Sequence, residues 1–163
     1  SLGESCMELL CTALDEFAAA RAREGEKLKA MLLERLNKMR HLVAEVSPRI
    51  PALLVAFQEK IKSRLSEAMI NQDDDRIRQE LLLFTSKIDV DEELSRLQTH
   101  LDEVERVLSS GGAIGKRLDF LMQELNREAN TIGSKSVDVE VSKISLELKV
   151  LIEQMREQVQ NIE

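Results

Sequence analysis

Between Glu4 and Val46 the sequence holds no proline and a single glycine, Gly25, and its apolar residues return every three or four positions. Leu10, Leu14, Phe17 and Ala18, Ala20, Leu28, Met31 and Leu32, Leu36, Met39, Leu42 and Val43 follow that spacing. The period matches 3.6 residues per turn, so the segment reads as one long helix with one apolar stripe. Gly25 weakens this helix without ending it. Pro48 and Pro51 do end it, because each ring disfavours helix at the residue before it. Pro51 then opens a second helix to about Ile70.

Asn71-Gln72-Asp73-Asp74-Asp75 is a polar break whose carboxylates suit the start of a third helix, running through Leu81-Leu82-Leu83-Phe84 to about Lys87. A fourth helix is expected over Asp91–Leu108, a loop at Ser109–Gly112, and a fifth helix over Gly115–Asn130. Thr131–Ser136 reads as a second loop. The last helix spans Val137–Ile162, and its stripe of Val141, Ile144, Leu148, Leu151, Ile152, Met155, Val159 and Ile162 resembles a coiled-coil seam. No segment alternates with the period of a strand. The chain therefore reads as all-α, with long helices packed as hairpins or a bundle. With four Phe and neither Trp nor Tyr, the core must be aliphatic, which suits helices packed along their lengths. Residues 1–72 are expected to form a helical hairpin region and 73–163 a helical domain. Ser1 leads straight into helix, as expected of a piece cut from a longer chain.

A net charge of −7 argues against nucleic-acid binding by bulk charge, which draws on clustered Lys and Arg. It leaves room for a local basic cleft and for a carboxylate site holding Mg²⁺ or Mn²⁺. Cys6 and Cys11, five apart on a helix, point away from each other and are expected to be small buried thiols without a disulfide. No apolar run approaches the roughly 18 residues of a membrane span, and no signal peptide is visible. The expected setting is cytoplasmic, with no membrane partner.

Two polar clusters stand out. On a helix, Asp89, Glu93, Arg96 and His100 fall within about 60° of one another, beside an apolar face of Val90, Leu94, Leu97 and Leu101. Carboxylates can hold a divalent ion, imidazole can move a proton, and guanidinium can hold a phosphate. Asp89 with Glu92 also makes a capping box, and Glu92 with Arg96 an ordinary i,i+4 pair. In the second cluster, Arg117, Glu124 and Glu128 share a face, flanked by a strip of Gln123, Arg127 and Asn130. A polar interface between helices or subunits explains that cluster equally. Gly111-Gly112-Ala113-Ile114-Gly115-Lys116 is not a phosphate loop. It is one residue short, lacks the Ser or Thr, and follows no strand.

The string from Arg117 to Thr131 (RLDFLMQELNREANT), then Gly133–Ser136, Glu147–Lys149 and Ile152–Glu163, resembles the C-terminal signature of the YicC family of bacterial endoribonucleases. Gln79-Glu80 and Asp89–His100 resemble its upstream half. The resemblance is strong from Glu80 onward and weak before it. It implies a metal-dependent endoribonuclease acting on single-stranded RNA and a ring-like homo-oligomer, a hexamer, with a further N-terminal domain. Under it, Glu80, Asp89, Glu92 and Glu93 would bind Mn²⁺ or Mg²⁺, and His100 would be general acid or base. Arg96 and Arg117 would stabilise the transition state, with Glu124 and Glu128 completing the catalytic set. Lys116, Arg127, Asn130 and Lys135 would hold RNA. Cleavage through the RNA 2′-OH without metal is the variant of this reading. The competing reading is a non-enzymatic assembly module whose missing domain binds RNA.

Overall fold

The structure is a computed structural model that describes residues 2–70, 74–88, 90–136 and 138–160. All regular elements among these residues are helical: α1 (Leu2–Val46), α2 (Ile50–Ile70), α3 (Asp74–Ile88), α4 (Val90–Ser110), α5 (Gly115–Lys135) and α6 (Val139–Gln160). A single 3₁₀ turn, Ser47–Arg49, joins α1 to α2 where Pro48 denies the helix a donor.

One aliphatic core unites the second half of α1 with α4, α5 and α6. Leu32, Leu36, Met39 and Val43 of α1 pack with Leu97, Leu101 and Val104 of α4, Leu118, Met122 and Leu125 of α5, and Leu148, Ile152 and Met155 of α6. The expected α6 stripe supplies the buried side of that helix, Val141, Ile144, Leu148, Ile152, Met155 and Val159, with Leu151 partly buried. Ile162 lies outside the described residues. Polar pins fix the helix pairs at their rims. Arg40 of α1 donates to Asp102 and Glu105 of α4 at 2.6 and 2.7 Å. Arg35 of α1 donates to Gln154 of α6 at 3.3 Å. The helices α2 and α3 form a hairpin, closed by Arg64 and Glu80 at 3.1 Å. Gly111 and Gly112, at φ 68° and 83°, turn the chain between α4 and α5, a left-handed conformation that glycine adopts without steric penalty.

Three expectations change. First, every residue from Leu2 to Lys27 except Ala20 is exposed, including Leu10, Leu14 and Phe17. Only the later part of the α1 stripe meets the core. Second, Cys6 and Cys11 are therefore exposed free thiols rather than buried ones. Third, Thr131–Lys135 is not a loop but the last turn of α5. Thr131 Oγ1 donates to the Arg127 carbonyl at 2.9 Å, and Ile132 is buried in the core.

Gly133 belongs to that turn because α6 comes close. A Cβ there would stand 2.5 Å from Ser145 Oγ. Ser145, itself buried, donates to the Ala129 carbonyl at 2.7 Å. Gly133→Ala is expected to destabilise the chain by about 1–3 kcal/mol through overpacking and loss of that bond. Thermal melting measures it. The Gly133→Ala/Ser145→Ala double variant should recover part of the loss, because the remaining contact, 3.4 Å to the residue-145 Cβ, is ordinary packing. A single variant as stable as the parent would refute the close approach.

Candidate active site

The antiparallel α4–α5 pair brings the two polar clusters together. On α4 the apolar face of Val90, Leu94, Leu97 and Leu101 is buried, which leaves Glu93 and His100 at its edge. On α5 the buried face includes Leu121, Met122, Leu125 and Ala129, with Glu128 among them.

Glu128 is 4% exposed and its carboxyl is hydrogen-bonded to that of Glu93, which is 8% exposed. Two buried carboxylates in contact repel each other when both are charged, which favours one shared proton at and below neutral pH. Burial first, then the hydrogen bond and negative charge of Glu93, raise Glu128 to about 7. Glu93 is lowered instead, by the bond from Glu128 and then by Lys135 and Arg96. Lys135 Nζ stands 3.2 Å from Glu93 Oε1, and Arg96 Nη1 stands 4.0 Å from its other oxygen. Glu128 is thus the proton donor of the pair and Glu93 the acceptor.

His100 Nε2 lies 3.9 Å from Glu128 Oε1 and is half-buried. Glu124, one turn before Glu128, joins them: ligand atoms of His100, Glu124 and Glu128 all lie within 4.8 Å of one another. One imidazole nitrogen and two carboxylate oxygens form a donor set that suits Mn²⁺ and related divalent ions better than a purely oxygen-ligated Mg²⁺ site. In donor type and proximity these residues fit such an ion.

The carboxylates expected from sequence to bind metal do not gather into one group among the described residues. Glu80 is in the α2–α3 hairpin with Arg64. Glu92 is exposed and accepts from Arg96 at 2.6 Å. Glu93 faces Lys135 and Glu128. Asp89 lies outside the described residues. Arg96, beside Glu92 and Glu93, and exposed Arg127 and Asn130 surround the site. Lys116 and Arg117 do not. They sit at the far end of α5, roughly 18 Å along its axis from Glu128. There Arg117 and Arg106 bind Glu103, whose carboxyl is held down to about 2, chiefly by Arg106. Lys116 lines a concavity with Arg21, Asp119 and Val159.

Sequence reasoning named both carboxyls but missed their pairing across two helices. The model of the family described as "Endoribonuclease YicC-like, C-terminal" matches residues 46–163. The chain therefore belongs to that family of endoribonucleases. It is 47% identical over 150 residues to the probable endoribonuclease YicC of Haemophilus influenzae, covering 92% of this chain and 52% of that protein. It is 33% identical over 154 residues to the probable endoribonuclease YicC of Clostridioides difficile, covering 93% and 53%. The chain thus spans about half the length of these curated relatives. No helix among the described residues is long and apolar enough to cross a membrane.

Proposed function

We propose that the α4–α5 site is the active centre of a metal-dependent endoribonuclease that cleaves phosphodiester bonds in single-stranded RNA. The observation that carries this reading is the buried Glu93–Glu128 pair beside a half-buried His100, inside the region matched by the family. His100, Glu124 and Glu128 would hold Mn²⁺ or Mg²⁺, the imidazole neutral and both carboxyls deprotonated. Such an ion supplies Lewis acidity toward a phosphate oxygen. In the metal-free variant, cleavage through the RNA 2′-OH, His100 Nε2 is instead free to move the proton between nucleophile and leaving oxygen, and Glu128, 3.9 Å away, to exchange that proton with the imidazole. Arg96 offers a guanidinium to the charge that grows on the phosphorane. Arg127 and Asn130, exposed on the next face of α5, take the RNA backbone.

We further propose that copies of the chain assemble through α1. Residues 2–16 carry Glu4, Glu8, Asp15 and Glu16 with no Lys or Arg, and residues 21–29 carry Arg21, Arg23, Lys27 and Lys29 against two Glu. Antiparallel pairing of two α1 helices sets acid against base along the exposed apolar stripe.

The deciding experiment compares RNA cleavage by this chain and by the full-length protein, with and without Mn²⁺, and follows melting of both. Saturating metal, at about 100 times Kd, is expected to add about 2.7 kcal/mol to stability. Cleavage is expected only in its presence. Metal-independent cleavage would move the reading to attack by the 2′-OH, and no cleavage by the full-length protein would sink it.

A further inference from the structure

Lys135 ends α5, and a lysine at the tip of a helix in an RNA enzyme is naturally assigned to phosphate. Its surroundings point elsewhere. The side chain is only 23% exposed. It borders a small cavity with Ile50, Leu54, Val90 and Val141. Its ammonium lies 3.2 Å from Glu93 Oε1. Glu93 faces Glu128 across the two helices, and Glu128 Oε1 lies 3.9 Å from His100 Nε2. The contacts therefore run from α5 to α4, back to α5, and again to α4.

We infer that Lys135 is a positioning residue, which fixes the Glu93 carboxylate so that Glu93 holds Glu128 against His100, and which does not contact RNA. This rests on the function proposed above. The geometry carries it in two ways. A buried carboxylate needs a paired cation, and Arg96, the other cation facing Glu93, is half exposed and 4.0 Å away, beyond hydrogen-bond length. A Lys135 that turned to a phosphate would leave Glu93 short of a donor, and Glu128 would lose its fixed acceptor. Residues that orient a ligand or catalytic group typically matter about 10–100-fold to metal affinity or activity.

The test uses the full-length protein with Lys135→Met and Lys135→Gln. It measures kcat and KM on a single-stranded oligoribonucleotide, and the Kd and salt dependence of a fluorescent 2′-O-methyl oligoribonucleotide. It also measures the melting shift with Mn²⁺. Lys135→Met is expected to lower kcat about tenfold or more and weaken Mn²⁺ about tenfold. KM and probe Kd should stay within about twofold, with the salt slope unchanged. Lys135→Gln, which keeps a donor for Glu93, should fall between Met and the parent in kcat. It also decides the matter if Lys135→Met does not fold. A raised KM and Kd with kcat intact, and a salt slope smaller by about one, would overturn the inference in favour of a phosphate contact. If the parent cleaves no RNA, the proposed function fails by itself. The Mn²⁺ shift still judges Lys135, since an affinity equal to the parent's would refute the positioning role.

Discussion

Glu128→Gln in the full-length protein is expected to lower RNA cleavage by at least about 100-fold, the scale of a lost general acid–base group, and at the same time to raise the melting temperature above pH 7. The two effects have one origin. In the folded chain Glu128 holds its proton up to about 7. In the unfolded chain a glutamate releases it near 4.3. A folded-state pKa raised in this way gives stability that is present below about pH 4.3 and is lost as pH rises through about 7. Above pH 7 the parent therefore folds with two buried carboxylates in contact. Glutamine keeps the N–H donor for Glu93 and never ionises. Without metal, the variant should be more stable than the parent at pH 8 by about 1–3 kcal/mol, and the gap should close toward pH 5. Melting scans at both pH values, beside cleavage rates, measure it. A variant that loses stability at pH 8 would show that Glu128 is charged and paired, contrary to the shared proton. Wild-type cleavage would remove it from the chemistry.

The elements of this site were legible in the sequence, but their meeting was not. Helical geometry set Glu93, Arg96 and His100 beside the apolar face of α4, and set Glu124 and Glu128 on one face of α5. The glycine turn between these helices was equally plain. It held a further clue. His100 and Glu128 are equidistant in sequence from Ile114, and so are Glu93 and Lys135. An antiparallel hairpin turning at residues 111–114 must bring both pairs face to face. That inference needed α5 to continue to Lys135. The Thr-Ile-Gly-Ser-Lys-Ser composition reads as a loop, since Gly, Ser and Thr are poor helix residues. What keeps the segment helical is tertiary: Ile132 in the core and Gly133 against Ser145. Periodicity likewise found the α1 stripe, but could not tell that its first half stays exposed instead of joining the core. A stripe states that burial is wanted, not by whom.

Under the assembly through α1 proposed above, changing Leu14 and Phe17 together to Glu is expected to convert the full-length protein to smaller species. The side chains of Leu10, Leu14 and Phe17 are 52%, 56% and 60% exposed, so they add little to the bundle's own stability. Across a helix pair each would be worth roughly 1–3 kcal/mol. Losing two and setting charges on an apolar seam should weaken association by about 4 kcal/mol, or about 1,000-fold. Sedimentation or mass photometry at micromolar concentration would record the change. Far-ultraviolet circular dichroism should stay as in the parent, since these residues touch no core. An unchanged mass would take assembly away from this segment.

The Arg40 clamp gives α1 a mechanical meaning. This helix is one rod of 45 residues, roughly 67 Å long. Its first part stands clear of the bundle, and Arg40 grips Asp102 and Glu105 on α4. Asp102 follows His100 by two residues on the same helix. Whatever holds Leu10 and Phe17 thus sets the bearing of a stiff lever, and the lever's load falls on the stretch of α4 that aims the imidazole at Glu128.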